Sequence, residues 1–206
     1  MLLLLVVLGL KTRDNLDAFL EGVGKLEVRE GPGGGTVYLR WSGQIDAPME
    51  SRIAAAFERY RTGGQKFVLS LASYGGSLDH GAKVVRLLRK ISETHSIETV
   101  VEAGSHCASM CVPVYLQGQR RTAAADAKFM FHAVSFREYL ASDELAVPDS
   151  AKNAETDRLL SQYFTAAGVP ETWISQVRAE MAGGHDVWKT ARELIHENAG
   201  IVQQVF

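Results

Sequence analysis

Short apolar runs alternate with amphipathic stretches along most of the chain. The apolar runs are rich in β-branched residues and end in small or polar ones, which is typical of buried strands. In the amphipathic stretches apolar residues recur every three or four positions, which indicates helices that cover a sheet. The pattern predicts strands at 36–41, 67–71, 98–101, 121–124 and 129–132, a strand or tail at 200–205, and helices at 14–23, 49–60, 81–91, 109–116, 151–167, 171–181 and 190–197. Strands that alternate with helices favour an α/β fold with parallel βαβ units.

Three of the predicted strands end in residues that can carry chemistry. Gly75-Gly76 follows the strand at 67–71, Ser109 follows the strand at 98–101, and His132 ends the strand at 129–132. Each has an ordinary structural explanation: a tight turn, a helix cap, and a hydrogen-bonded histidine. Ligands of parallel sheets bind beyond the carboxyl ends of the strands, so the convergence of the three favours a site there.

The same three segments resemble the proteolytic subunit of the Clp protease and its ClpP/crotonase superfamily. The resemblance rests on Gly75-Gly76, on Ser109-Met110 within a loop of small residues, and on Met130-Phe131-His132, in that order along the chain. It extends over about residues 37–205, and Ser42-Gly43-Gln44-Ile45 is similar to the strand end that opens the family's domain. The resemblance implies repeated β-β-α units whose helices cover the sheet, here a single peptidase domain at 31–206.

The resemblance also implies a serine endopeptidase that works through an acyl-enzyme. Ser109 would be the nucleophile and His132 the base that takes its proton. The amides of Gly76 and Met110 would form the oxyanion hole. Gly75 and Ser77 are expected to contact the substrate. No cofactor or metal is expected.

Asp186 is the expected third member of the triad, because it precedes a helix similar to the one that follows the family's aspartate. It could instead cap a helix at 187–194, and Glu180 is the reserve carboxylate. Two other functions stay open: a membrane-associated Ser-Lys dyad peptidase with Lys152 as the base, and a catalytically inactive scaffold or regulatory subunit. His106, in the nucleophile loop, is interpreted as a residue that stabilises the loop.

Composition and charge limit the classes of partner that the chain is expected to bind. The chain has 206 residues, 46% of them hydrophobic and 22% charged, as in an ordinary globular domain, and a formal net charge of -2 argues against a general nucleic-acid binder. We expect a peptide or unfolded-protein substrate. The family places an inter-subunit handle near residues 151–164, so we also expect a homo-oligomer.

Two cysteines flank Ser109, and in this the chain departs from the Clp subunit itself. The variation resembles a group of exported bacterial Clp-like proteins. Cys107 and Cys111 are four positions apart, a spacing that allows a disulfide. A regular helix would direct their side chains poorly for bonding. The favoured interpretation is therefore two small buried side chains that pack beneath the nucleophile.

The first ten residues are apolar and are followed by Lys11-Thr12-Arg13. This run is shorter than the roughly 20 residues that a membrane-spanning helix needs. It is interpreted as the remnant of a longer signal or anchor, an atypical signal, or an element packed on the domain, within an N-terminal segment at 1–30. We expect a periplasmic or membrane-associated protein, with membrane contact through the N-terminus, and a cytoplasmic location is the alternative.

Overall fold

A computed structural model describes residues 24–134 and 148–206. In these residues the strands form a six-stranded sheet and a three-stranded sheet, each described below with its strands in their order across the sheet. The larger sheet consists of β1 (Lys25–Glu30), β2 (Gly35–Ser42), β3 (Gly64–Ala72), β4 (Ser96–Val101), β6 (Arg120–Ala123) and β9 (Gln204–Val205). Every neighbouring pair in it is parallel except β1 with β2, which form a hairpin.

Two long helices cover this sheet. α1 (Ala47–Tyr60) is capped by Asp46, whose carboxylate accepts from the Ala47 amide at 2.7 Å. α2 (Leu78–Ser92) is capped by the hydroxyl of Ser77. Their apolar faces belong to the same buried core as the central strands. The predicted helices at 49–60 and 81–91 are therefore confirmed, each starting two or three residues earlier at its cap.

The smaller sheet carries the nucleophile segment. It consists of β5 (His106–Ala108), β7 (Lys128–Phe131) and β8 (Val187–Thr190), with β5 parallel and β8 antiparallel to β7. A single bridge between Ser73 and Cys107 joins it to the end of β3 in the larger sheet. The two sheets thus meet at the predicted site.

The remaining helices are short. They are α3 (Cys111–Tyr115), α4 (Asp149–Leu159), a π-helical turn (Leu160–Phe164), a 3₁₀ turn (Thr165–Ala167), α5 (Glu171–Glu180) and α6 (Ala191–His196). α6 begins with a capping box in which the Thr190 hydroxyl and the Glu193 carboxylate each accept from the other residue's backbone amide. Within the two described ranges, no helix is both long and apolar enough to cross a bilayer.

The expected α/β architecture with helices covering the sheet is confirmed. The helix predicted from residue 190 is confirmed as α6, which Thr190 caps. The alternative in which Asp186 caps a helix at 187–194 is wrong, because residues 187–190 form β8 and pair with β7. β1 and β5 were not predicted, and β1 begins the larger sheet at Lys25. The predicted elements at 1–10 and 14–23 lie outside the described residues, as does most of the loop at 135–150.

Candidate active site

Ser109 occupies the turn between β5 and α3. Its backbone φ is 54°, in the left-handed region that residues other than glycine rarely adopt. Such a conformation costs roughly 1–3 kcal/mol and persists only where the surroundings impose it. Here the Ser109 amide donates to the carbonyl of Met130 at 2.9 Å, and the Ser109 carbonyl accepts from the Val112 amide at 3.0 Å. The turn is therefore held in a sharp bend between a strand and a helix.

His132 faces this serine. It comes one residue after β7, the strand that pairs with β5, so the two strand ends bring both side chains to the same edge. His132 Nε2 lies 2.8 Å from Ser109 Oγ. If Nδ1 carries the imidazole proton, the serine hydroxyl donates to Nε2, which is the arrangement that general-base activation of a serine needs. The structure brings the expected nucleophile and base together.

The expected oxyanion amides adjoin the nucleophile. Of the hydrogen bonds found within residues 24–134 and 148–206, none is donated by the amide of Gly76 or of Met110. Gly75 packs directly on the turn: a Cβ added to it would lie 2.7 Å from Ser109 Cβ and 3.1 Å from the Met110 nitrogen. This close approach explains a glycine at position 75, where φ is also 96°. An oxyanion hole formed by both amides stays a prediction.

The two residues expected to bind substrate serve the protein's own structure. Gly75 accepts from the Ile45 amide at 2.8 Å, and its amide donates to the Ser73 hydroxyl at 3.1 Å. The Ser77 hydroxyl caps α2 by accepting from the His80 amide at 3.4 Å. A substrate contact at Gly75 or Ser77 stays a prediction.

Asp186, the expected third member of the triad, does not contact the imidazole of His132. Phe131 pairs with Val187 in the β7–β8 ladder, so the next position along places Asp186 opposite His132. Asp186 is nevertheless exposed, and no hydrogen bond or ion pair between the described residues joins its carboxylate to the imidazole. The register supports Asp186 as the candidate, and its role stays a prediction.

The competing residues have other contacts. Glu180 accepts from the Gln176 amide nitrogen at 2.9 Å and lies 3.0 Å from Lys189 Nζ. Lys152, on α4, lies 4.0 Å from an oxygen of Asp149, while the Ser109 hydroxyl bonds His132. His106 stacks on Tyr74 with ring centroids 3.7 Å apart, and burial lowers the pKa of its imidazole. The stacking agrees with the interpretation of His106 as a loop-stabilising residue.

The cysteines beside Ser109 form a disulfide, so the favoured interpretation of two unbonded cysteines is wrong. Cys107 and Cys111 have Cα atoms 5.2 Å apart, and neither is exposed to solvent. The physical reason is the left-handed bend at Ser109. Cys107 lies on a strand and Cys111 on the helix that follows, so the two side chains do not share one regular helix.

A cavity of about 90 Å³ opens beside the hydroxyl of Ser109. Its lining is mostly apolar and includes no charged side chain from the described residues; it comprises Gly76, Leu78, Ser109, Met130, Phe131, His132, Val134, Thr156, Leu159, Leu160, Phe164 and Met181. Much of this wall comes from α4 and the π-helical turn that follows it.

Thr156, buried in that wall, was not singled out from the sequence. Its hydroxyl accepts from the Val134 amide at 2.9 Å and donates to the Lys152 carbonyl at 2.8 Å. It thereby ties α4 to the backbone two residues beyond His132. No local pattern marks such a residue, because its partner is 22 positions away.

Comparisons with known proteins show the fold. No family model matches the sequence, and no curated protein matches it significantly. The structure is similar to that of a point mutant of ClpP1 from Listeria monocytogenes, with a TM-score of 0.60, 17% sequence identity, and coverage of 84% of this chain and 91% of that one. The chain therefore has a ClpP-like fold.

Proposed function

We propose that this protein is a serine peptidase that cleaves peptide bonds through an acyl-enzyme on Ser109. The observation that carries the proposal is the 2.8 Å contact between Ser109 Oγ and His132 Nε2. A serine hydroxyl attacks an amide only when a base removes its proton, and His132 is in reach to do so. The amides of Gly76 and Met110 then stabilise the negative charge on the carbonyl oxygen.

The cavity beside Ser109 indicates the substrate side chain. Its wall is mostly apolar and its volume is about 90 Å³, so an aliphatic or aromatic residue on the acyl side of the cleaved bond would gain by burial. A charged residue would lose its hydration without a partner. The proposed substrates are therefore unfolded or extended peptides with an apolar residue before the cleaved bond.

The disulfide bears on the cellular compartment in which the protein works. Disulfides persist in oxidising compartments and are rare in the cytosol. We propose that the chain works in the bacterial periplasm or at a membrane surface facing an oxidising space. A closed homo-oligomer is part of the same proposal.

Peptide hydrolysis by a serine variant tests this function. Ser109→Ala should lower kcat/KM for a fluorogenic peptide with leucine before the cleaved bond by at least about 10³-fold, as removal of a nucleophile does. Ser105→Ala is the matched control: its side chain is in the same segment but on the strand side of the turn, and it should keep the parent rate. A Ser109→Ala variant that cleaves as fast as the parent would refute the proposal.

A further inference from the structure

We propose that the Cys107–Cys111 disulfide is a positioning element of the active site, and that hydrolysis depends on this pair being oxidised. The inference rests on the proposed peptidase function and adds a dependence on the redox state of the cysteines. The bond closes a loop whose interior consists of Ala108, Ser109 and Met110. The nucleophile and one oxyanion amide are therefore both inside the loop.

One end of the loop is fixed by the two sheets. Cys107 lies in the middle of β5, where it pairs with Phe129 of β7 on one side and forms the bridge to Ser73 on the other. This anchoring leaves the backbone at Cys107 little freedom to move. The bond to Cys111 therefore ties the start of α3 to this fixed strand.

The other end of the loop lacks the usual fixing contact. α3 has five residues, and its N-cap, Met110, makes no side-chain hydrogen bond to the helix start. Helix starts are normally fixed by a Ser, Thr, Asp or Asn side chain at this position. Here the covalent bond to Cys111, the first residue of the helix, takes the place of that cap.

Reduction would release the turn. A dithiol reductant transfers two electrons and two protons to the pair, so the S–S bond breaks, each sulfur becomes a thiol, and the reductant leaves as a cyclic disulfide. Two thiols need van der Waals separation, and both sulfurs are in a packed core with no exposure to solvent. The separation is taken up at the turn, where the left-handed Ser109 then keeps its hydrogen bonds to Met130 and Val112 but loses the covalent restraint. Displacement of a reacting group by about 1 Å can cost about 100-fold in rate.

The two cysteines are the only ones in the chain, so the effect of a thiol reductant maps to this pair. Because both are buried, reduction is done with a dithiol in urea, and the chain is then returned to native buffer with the dithiol still present. An oxidised sample is carried through the same urea steps without the dithiol. Thiol content is read by alkylation in denaturant and intact mass.

The reduced chain should keep its folded circular-dichroism spectrum while kcat for the leucine peptide falls about 100-fold. KM should change less than about threefold, because the cavity wall contributed by α4 does not move. Labelling of Ser109 by a fluorophosphonate should slow in parallel. Re-oxidation should restore both rates.

A double variant, Cys107→Ala with Cys111→Ala, provides the control. It should show the low kcat of the reduced parent, and the dithiol should not change it. A folded, fully reduced parent with kcat within about twofold of the oxidised one would overturn the inference alone. Failure of both the reduced parent and the double variant to fold would also overturn it, since the bond would then be a general staple. An oxidised parent that hydrolyses no peptide would refute the proposed function and the inference together.

Discussion

Ser109 and His132 are 23 positions apart and meet because two short parallel strands end side by side. Ala108 pairs with Met130, so the residues just beyond each strand emerge at the same edge. The serine then bends away in a left-handed conformation that exposes its hydroxyl to the imidazole. At this scale the site depends on register and bend together: Ser109 is level with Phe131, one residue before His132, and its left-handed conformation turns the hydroxyl to the imidazole.

Asp186 is the candidate for a carboxylate that supports His132. Asp186 follows the β7–β8 register to a position opposite His132, so we expect its carboxylate to accept from Nδ1 in the substrate complex. Asp186→Asn should then leave the fold intact and lower kcat by about 10⁴-fold, because the imidazole tautomer is no longer fixed. Steady-state kinetics on the leucine peptide and a melting curve check this result.

Parallel variants separate the alternatives. Glu180→Gln and Lys152→Ala should keep most of the parent activity, whereas a Ser-Lys dyad would make Lys152→Ala inactive and Asp186→Asn nearly silent. A nearly full-rate Asp186→Asn variant would contradict the assignment of Asp186.

Some of the residue-scale picture could be read from the sequence and some could not. Ser109 and His132 stand out because each ends or follows an apolar run. The disulfide does not, because the left-handed φ at Ser109, which turns Cys107 toward Cys111, has no sequence signal in a residue other than glycine. Spacing alone allowed both the bonded and the unbonded pair.

At the scale of elements, an ion-pair cluster fixes β8 to the helices around it. Lys189, with its side chain 10% exposed, lies 3.0 Å from Glu180 of α5 and 2.8 Å from Glu197, just after α6. Trp173 Nε1 donates to the second oxygen of Glu197 at 2.8 Å. This cluster holds the strand that begins directly after Asp186. It therefore positions the candidate carboxylate and also stabilises the fold.

Removal of the lysine should destabilise the protein. Lys189→Met leaves two carboxylates near each other without their cation, and we expect a loss of about 2 kcal/mol in the free energy of unfolding, the buried-pair cost reduced for partial exposure of the acids. The pair Lys66–Glu98, at 3.0 Å, is the matched control; the Lys66 side chain is 37% exposed, against 10% for Lys189, and Lys66→Met should cost less than about 1 kcal/mol. Urea unfolding measures both, and equal losses would contradict a special role for Lys189.

The same cluster should make the free energy of unfolding depend on pH. The pKa of Glu180 is lowered from 4.5 by the hydrogen bond from Gln176 and, despite burial, by Lys189. The stabilisation by Glu180 is therefore present above pH 4.5 and lost as pH falls through its lowered value. Burial alone would lower the pKa of Lys189, but its bonds to Glu197 and Glu180 outweigh burial and raise it above 10.5. That contribution is present below pH 10.5 and lost in stronger alkali. Lys189→Met should remove this alkaline effect and reduce the acid one, which the bond from Gln176 to Glu180 still maintains.

The elements that the sequence predicted well are the long ones. α1, α2 and the central strands have enough apolar positions for their period to be clear. The four residues of β8 have no such signal, and their strand form is set by pairing with β7 rather than by local preference. β5, with three residues, was missed for the same reason.

At the scale of the whole molecule, the ClpP-like architecture raises the question of assembly. The expected homo-oligomer was argued from the apolar residues of 151–164, but Leu160, Tyr163 and Phe164 are buried within the protomer. The outward face of α4 is polar. The prediction of a closed homo-oligomer stays, without that support. Multi-angle light scattering at micromolar concentration should give a multiple of the protomer mass, and an active monomer would contradict it.

The overall fold could be predicted because parallel strands and covering helices follow from the alternation of apolar runs with amphipathic stretches. The division into two sheets could not, because it depends on single contacts such as the bridge between Ser73 and Cys107. The cavity beside Ser109 was equally hidden, since its wall is assembled from segments far apart in the sequence.

Reaction with a fluorophosphonate tests the central claim most directly. These reagents form a covalent bond with a serine only where a neighbouring base activates it and amides stabilise the charge that develops. Intact-mass analysis of the oxidised protein should show one adduct, and peptide mapping should place it on Ser109. The adduct should be absent in Ser109→Ala and formed far more slowly in His132→Ala. An unmodified parent chain, or an adduct on another serine, would contradict the account.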